Sequence, residues 1–247
     1  MLVTAPPEAG KTEMVMKYAT NKGCVALTDC TAYGIMRDYK EGIEQRKVRH
    51  LIIPDFVRPL SRGKDTVHSL TAFLNSLIEE GILGISTYAE TVKPDPTKTH
   101  VKCGLITTLA KGELLDGRHR WASMGFMSRL LPVSYTYTTA AQLKIHESIA
   151  GKEYLHEQPI VLELPDKDVR VKLGKAEGER LIRLTGLLTV QPAKGDAEKM
   201  YGFRLQKHLQ RLVMANALKD ARDITTSEDV DLLEDLSSVM NLEYNPL

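Results

Sequence analysis

Short apolar runs alternate with amphipathic stretches along the first half of the chain. The apolar runs are candidate strands, and they occupy residues 2–5, 23–28, 48–53, 101–108 and 130–137. Between them, apolar residues at helical spacing predict helices at residues 12–20, 31–46 and 67–78. Strands that alternate with helices are typical of a parallel sheet with helices on both faces. We therefore expect a three-layer α/β core with a parallel sheet.

The pattern changes near residue 150. Two short apolar segments at residues 160–164 and 169–173 flank a polar turn, which favours a short hairpin. Three helices are predicted next, at residues 175–184, at residues 203–221 and after a capping sequence at residues 225–229. The inward positions of the last two helices are predicted to be Leu205, Leu209, Leu212, Val213, Leu232, Leu233, Leu236 and Met240. We expect an α/β domain over residues 1–150 and a helical domain over residues 151–247.

Composition narrows the class of protein. The net charge of +1 creates no global field that would draw the chain onto nucleic acid or a membrane. No apolar run approaches the roughly 20 residues of a membrane span, and the N-terminus lacks the pattern of a secretory signal. Cys24, Cys30 and Cys103 fit no zinc spacing, so we expect three buried, reduced thiols. These features favour a cytoplasmic protein without a membrane segment.

A phosphate-loop motif follows the first predicted strand. Residues 5–12 are Ala-Pro-Pro-Glu-Ala-Gly-Lys-Thr and match the pattern Gly-x-x-x-x-Gly-Lys-Ser/Thr, with Ala5 in place of the first Gly. In such a loop, backbone N–H groups converge on phosphate oxygens at the start of a helix. Lys11 is expected to reach the β- and γ-phosphates of ATP, and the Thr12 hydroxyl is expected to hold Mg²⁺. The nucleotide-binding residues of this segment are predicted to be Pro7, Glu8, Ala9, Gly10, Lys11, Thr12 and Glu13.

A carboxylate is expected beside this loop, at the end of another apolar strand. Asp55 follows such a run, and its carboxylate is predicted to hold Mg²⁺ through water, because this ion prefers oxygen ligands and keeps much of its hydration. Many ATPases place a Glu directly after this Asp to orient the attacking water, whereas this chain has Phe56. Hydrolysis is therefore expected to be slow or to use another carboxylate, such as Asp65 or Glu79.

With this loop, this carboxylate and the change of pattern near residue 150, the chain resembles the AAA+ ATPases. These are ring-forming machines of DNA replication, protein remodelling and complex assembly. The resemblance spans most of the chain. It implies an α/β nucleotide-binding domain followed by a helical lid, with ATP and Mg²⁺ as cofactors. It also implies a homo-oligomeric ring that acts on a protein or DNA client.

The resemblance suggests roles for further residues of the first domain. In that family, a polar residue at the end of the fourth core strand senses the γ-phosphate, and either Thr107 or Thr108 fits here. Alternatively, these threonines serve only the β propensity of the strand. The family also presents an arginine to the ATP of the neighbouring subunit. Arg129 looks like that position because it precedes the last core strand, and Arg118 and Arg120 are competitors.

The predicted lid carries a second match. Residues 201–204 (Tyr-Gly-Phe-Arg) and the run after them resemble lids of the MCM and MoxR-type branch. In that branch, an arginine that opens this helix senses nucleotide in cis, and Arg204 is the candidate. The same helix carries positive charge, which fits either DNA phosphates or an ordinary solvated face, on Arg204, Lys207, His208, Arg211 and Lys219.

The leading expectation is an AAA+ ATPase that couples binding and hydrolysis of Mg·ATP to the remodelling or loading of a macromolecular partner. Lys11, Asp55, Thr107 or Thr108, and Arg129 would then serve hydrolysis. The alternative is a switch or loader that binds ATP and hydrolyses little or none of it. A small-molecule kinase is disfavoured because the chain shows no acceptor-binding lid of arginines and aspartates.

Overall fold

The computed structural model describes residues 1–82, 85–86, 91–92, 102–153, 158–163, 169–189 and 202–240. The chain divides into two compact units. The first comprises Met1–Leu130 and Tyr135–Val161, and the second comprises Leu131–Ser134 and Leu162–Leu247. Among the described residues, none of the helices is both long enough and apolar enough to span a membrane.

The first unit alternates strands and helices. Its strands are β1 (Leu2–Ala5), β2 (Cys24–Ala26), β3 (His50–Ile53), the short pair β4 (Ile85–Ser86) and β5 (Thr91–Val92), and β6 (Gly104–Ala110). Its helices are α1 (Lys11–Met16), α2 (Ala32–Glu44), α3 (Val57–Leu60), α4 (Lys64–Asn75), α5 (Lys111–Ser123) and α6 (Thr139–Ala150). A π-helical turn at Ser76–Glu80 continues α4, and a 3₁₀ turn at Met127–Arg129 comes after α5.

The main sheet is parallel, and the strands of the first unit have the order β2-β3-β6-β1 in it. Strand β7 (Pro132–Ser134) belongs to the second unit. Strand β6 lies between β1 and β3, with Leu2 opposite Thr107 and Ile53 opposite the same residue. Leu51 and Ile52 in β3 are fully buried, as expected for a strand covered on both faces. The predicted α/β fold with a parallel sheet and flanking helices is confirmed.

Two of the elements predicted for the first unit differ from the prediction in extent or exposure, and the helices α3, α5 and α6 and the pair β4 and β5 were not predicted. Helix α1 ends at Met16 rather than near residue 20, because the next amides form bonds to the third residue back, including Tyr18 N–H to Val15 O at 3.3 Å. The Asn21 side chain then donates to Tyr18 O at 3.0 Å and closes the turn. Strand β2 was expected to be buried, but it is an edge strand, and its residues are half-buried or exposed.

The second unit is built on three helices, α7 (Lys175–Thr189), α8 (Phe203–Lys219) and α9 (Ser227–Ser237). Each helix has an apolar stripe at helical spacing that it buries against the others. The resulting core contains Leu131, Leu181, Leu184, Leu205, Leu209, Val213, Val230, Leu233 and Met240. Helix α9 begins at a capping box in which Thr226 and Asp229 satisfy each other's backbone N–H groups. The three predicted helices are therefore confirmed.

Three of the leucines predicted to face inward do not. Leu212 is 36% exposed, and Leu232 and Leu236 are each 44% exposed. The buried stripe of α9 runs instead through Val230, Leu233 and, beyond its end, Met240. The prediction was wrong because it gave each helix a wider apolar face than two neighbouring helices can cover. The exposed leucines lie along a groove of about 360 Å³ in this unit.

The predicted hairpin is not observed in the part of it that the structure describes. Residues 160–163 and 169–171 carry no strand. Instead, the Ile160 N–H donates to Lys17 O at 2.9 Å, and Lys172 forms an isolated parallel bridge with Ile224. Both segments therefore pair with other parts of their own units rather than with each other. The turn between the two segments, at residues 165–168, lies outside the described residues. So does the surface turn that the run Lys-Pro-Asp-Pro-Thr-Lys predicts at residues 93–98.

Candidate functional site

The residues predicted to bind phosphate and Mg²⁺ lie where β1, β6 and β3 end side by side. In an open parallel sheet, ligands bind at the carboxyl ends of the strands, where the loops after the strands leave room. The loop after β1 carries Lys11 and Thr12, and the loop after β3 carries Asp55. Strand β6 lies between β1 and β3. The side chains of Lys11 and Thr12 therefore approach that of Asp55 across the end of β6. The sheet order thus gathers residues that are far apart in the sequence.

The loop after β1 has an unusual backbone. Glu8 has a φ angle of 62°, and Gly10 has a φ angle of 70°. Glycine adopts this left-handed conformation without penalty, whereas another L-residue pays about 1–2 kcal/mol for it. Strain of this kind at a non-glycine residue is characteristic of functional loops. Ala9, between the two, is buried, while Pro7, Glu8 and Gly10 are exposed.

The ammonium of Lys11 is folded over this loop. Its Nζ donates to Pro6 O at 2.6 Å and to Ala5 O at 3.1 Å. Partial burial lowers the pKa of Lys11, and the negative charge of Asp55 opposes this shift. The ammonium is therefore held by carbonyl oxygens inside the loop, close enough to the Asp55 carboxylate to interact with it. An anion that entered the loop would meet this charge directly.

Thr12 and Asp55 meet at the segment after β3. The Thr12 hydroxyl lies 3.4 Å from Pro54 O, the carbonyl directly before Asp55. One carboxylate oxygen of Asp55 accepts the Val57 N–H at 3.1 Å, and the other lies 3.8 Å from Nε of Arg58. A hydroxyl and a carboxylate are the oxygen ligands that suit Mg²⁺. Within the described residues, no group of three or more His, Cys, Asp or Glu could hold a metal on its own.

The two threonines of β6 differ in their placement. Thr107 is fully buried, and its hydroxyl donates to Ile53 O at 2.8 Å. Thr108 donates to Pro54 O at 2.6 Å, the same carbonyl that Thr12 approaches. The strand does not end at these residues, because its ladder with β1 continues to Ala110. Of the two candidates, Thr108 lies nearer to Thr12 and Asp55, and the role of either as a sensor stays a prediction.

The residue after Asp55 is part of the core. Phe56 is fully buried, and its ring stacks on Phe126. The other carboxylates considered for water activation are placed differently. Asp65 is exposed in the first turn of α4. Glu79 forms an ion pair with Arg129, in which its Oε2 lies 3.2 Å from the guanidinium Nε. The two atoms are not aligned for a hydrogen bond.

Arg129 is held inside its own unit. Its side chain is 10% exposed, and one guanidinium nitrogen contacts Glu80 at 2.7 Å while another donates to Gly125 O at 2.8 Å. To reach a neighbouring subunit, this side chain would first have to leave its two glutamates. Arg120 is exposed, and the side chain of Arg118 lies outside the described part of the structure. The choice among the three arginines stays a prediction.

The remaining predicted nucleotide-binding residues are Glu13 and Arg204. Glu13 is exposed in the first turn of α1. Arg204 is half-buried in the first turn of α8, in the second unit, so the expectation that it lies near the start of that helix is confirmed. Its role in sensing nucleotide stays a prediction.

Sequence reasoning missed two tyrosines beside the loop. The hydroxyls of Tyr135 and Tyr137 both donate to the carbonyl oxygen of Ala9, at 2.6 and 2.9 Å. They follow β7 and are two residues apart, a spacing at which side chains of an extended chain point to the same side. The spacing of the two tyrosines was therefore a usable signal, although nothing in the sequence indicates what their hydroxyls contact.

No protein-family model matches the chain, and no curated protein gives a significant match.

Proposed function

We propose that this chain is an AAA+ type ATPase that binds Mg·ATP and couples its hydrolysis to the remodelling or loading of a macromolecular partner. One observation carries the proposal. The Lys11 ammonium, the Thr12 hydroxyl and the Asp55 carboxylate come together from two loops at the carboxyl edge of a parallel sheet. A cation, a hydroxyl and a carboxylate at one point are the groups that a Mg-triphosphate requires.

Each residue has a definite task in this proposal. Lys11 exchanges its bonds to Ala5 O and Pro6 O for bonds to phosphate oxygens, which are stronger because both partners are charged. Thr12 and Asp55 would hold Mg²⁺, which supplies the charge that neutralises the phosphates. The hydroxyl of Thr108 lies on the same carbonyl as that of Thr12, and this placement supports a role for Thr108 next to the terminal phosphate.

The finer features of the proposal rest on the resemblance. We place α7, α8 and α9 in the role of the lid, with Arg204 sensing nucleotide in cis and a homo-oligomeric ring acting on a protein or DNA client. In the ring, Arg129 or one of its competitors completes the neighbour's site. We also place the protein in the cytoplasm, which its free cysteines support, since disulfides are rare in that compartment.

A second function is favoured by Phe56. Because this side chain is buried against Phe126, it supplies no base next to Asp55. The chain could then act as a switch that binds ATP, assembles on its partner and hydrolyses little or none of the nucleotide. Binding is common to both functions, and turnover separates them.

The test of binding is calorimetric titration with Mg·ATP. The wild type is expected to bind, and Lys11→Ala is expected to lose affinity by about 10- to 100-fold, as charged hydrogen bonds contribute about 1.5–3 kcal/mol. Lys22→Ala, which removes an equal charge from an exposed position outside the loop, serves as the matched control. Absence of binding by the wild type, or equal affinities for all three proteins, would refute the proposal.

A further inference from the structure

The carbonyl oxygen of Ala9 is bound by two hydroxyls at once. The Tyr135 and Tyr137 hydroxyls approach it at 2.6 and 2.9 Å, and their rings lie 5.5 Å apart at an angle of 58°. A carbonyl oxygen has two lone pairs, so this pair of donors uses its full capacity. Two side chains thus converge on one backbone atom of the phosphate loop.

Holding this carbonyl also orients the amide beside it. In a trans peptide, the C=O of Ala9 and the N–H of Gly10 point in opposite directions within one plane. With the oxygen fixed toward the tyrosines, the Gly10 N–H points away from them. Gly10 is left-handed and has the conformational freedom of glycine, so its own backbone does not enforce this orientation.

The tyrosines are themselves anchored. The Tyr135 N–H donates to Thr4 O in β1 at 3.3 Å, and its ring packs against the cluster of Val3 and Val15 on either side of the loop. A tyrosine hydroxyl is protonated at physiological pH and can donate, and burial raises the pKa of Tyr135 further. Tyr137 lies directly before Thr138, the N-cap of α6, and its carbonyl accepts the Gln142 side chain at 3.2 Å.

We propose that Tyr135 and Tyr137 are positioning residues that hold the Ala9–Gly10 peptide of the phosphate loop with its N–H directed at bound phosphate. This inference rests on the proposed nucleotide-binding function and extends it to two residues outside the loop motif. Tyr137 is 38% exposed, so contact with the nucleotide base is the rival explanation that the experiment has to separate.

The experiment compares ATP with inorganic triphosphate, both with Mg²⁺, by calorimetry. Tyr135→Phe and Tyr137→Phe each remove one hydroxyl and keep the ring, and the double variant removes both. Each single variant is expected to lose about 2- to 10-fold in affinity, and the double variant more, since a neutral hydrogen bond contributes about 0.5–1.5 kcal/mol. The loss should be the same for both ligands, because the affected group is an amide that faces phosphate.

Tyr18→Phe is the matched control, because Tyr18 packs on the same cluster as Tyr135. Its affinities are expected to equal those of the wild type, and thermal unfolding should show that every variant is folded.

Three outcomes overturn the inference. Unchanged affinities in the double variant would show that the hydroxyls do not position the loop. A loss for ATP without a loss for triphosphate would assign Tyr137 to the base instead. Failure of the wild type to bind either ligand would refute the proposed function together with this inference. The wild-type titration therefore separates this outcome from the first two, in which the wild type binds.

Discussion

The ring of Phe56 stacks on the ring of Phe126 with centroids 5.6 Å apart and an angle of 18° between the planes. Both residues are essentially fully buried. The position directly after Asp55 therefore faces the apolar core, although it adjoins the proposed metal ligand in the sequence. A glutamate at this position would lie in the core, so the missing base is a property of the fold as well as of the sequence.

Phe56→Glu is accordingly expected to destabilise the first unit without creating turnover. Burial of a carboxylate among aromatic rings should lower the free energy of unfolding by more than about 4 kcal/mol. Phe56→Leu, which keeps the site apolar, should cost about 1–2 kcal/mol. Fluorescence of Trp121, the one tryptophan of the chain, measures both changes in urea. A stable, hydrolytically active Phe56→Glu variant would contradict the prediction.

The strained loop predicts opposite effects at two neighbouring positions. Gly10→Ala puts a side chain at a φ angle of 70° and should cost about 1–2 kcal/mol, although the added Cβ has room. Glu8→Asn should gain about 0.5 kcal/mol, because asparagine tolerates the left-handed region better than glutamate. Gly112→Ala is the control, since Gly112 lies in α5 with open space around it and is not among the glycines of positive φ, so the change should not destabilise the unit. Urea unfolding of the three variants checks these signs.

Asp55→Asn tests the metal role. The variant should bind ATP like the wild type in EDTA but more weakly with Mg²⁺, because the amide has lost the negative charge that attracts the hydrated ion. Any turnover by the wild type should disappear. Glu41→Gln changes an exposed carboxylate in α2 and should alter neither property. Equal Mg²⁺ dependence of Asp55→Asn and the wild type would exclude Asp55 as a ligand, and a wild type that binds without turnover would favour the switch.

Asp229 predicts a pH dependence for the second unit. Its two oxygens accept the Arg222 guanidinium at 2.6 and 2.8 Å, and one of them also accepts Asn216 at 2.7 Å. The bond to Arg222 is the main reason that the pKa of Asp229 lies well below its usual value. A depressed pKa stabilises the folded state fully above the unfolded pKa of about 4, and this contribution is lost as the pH falls below that value.

Asp229→Asn should therefore destabilise the second unit by about 2–3 kcal/mol at pH 7 and by less at pH 3. Hydrogen exchange of the amides of α8 and α9 measures this, since Trp121 lies in the first unit. Asp231→Asn, which alters an exposed partner of Arg180, is the control. A difference between Asp229→Asn and the wild type that stays constant with pH would contradict the assignment.

The buried stripe of α9 can be tested with adjacent leucines. Leu233 is 2% exposed and Leu232 is 44% exposed. Leu233→Ala should cost about 3 kcal/mol because it leaves a cavity in the core, whereas Leu232→Ala should cost less than about 1 kcal/mol. Hydrogen exchange of α8 amides reports both variants. Equal costs would place both leucines in the core and restore the wider apolar face predicted from the sequence.

The sequence predicted those parts of the molecule that local pattern controls. Apolar runs located the main strands, and the loop motif located Lys11 and Thr12 beside Asp55. The sequence pattern could not predict which leucines are buried, because burial depends on how closely neighbouring helices pack. Leu232, which is exposed, and the adjacent Leu233, which is buried, show this. The tyrosines of the loop were missed for a related reason. Their hydroxyls donate to the carbonyl oxygen of Ala9, which is more than a hundred residues away in the sequence, and only the fold brings these groups together.

The turn at Ser76–Glu80 contains one residue more than an α-helix would use, since the Gly81 N–H bonds to the carbonyl five residues back at 2.7 Å. This extra residue determines the direction in which the side chains of Glu79 and Glu80 leave the turn, and both contact Arg129. Deleting Leu77 or Ile78 would leave a turn that winds as an ordinary α-helix, and it would change the angles at which Glu79 and Glu80 leave the turn. Chain length at this point, as much as side-chain identity, thus determines whether the arginine is held or released.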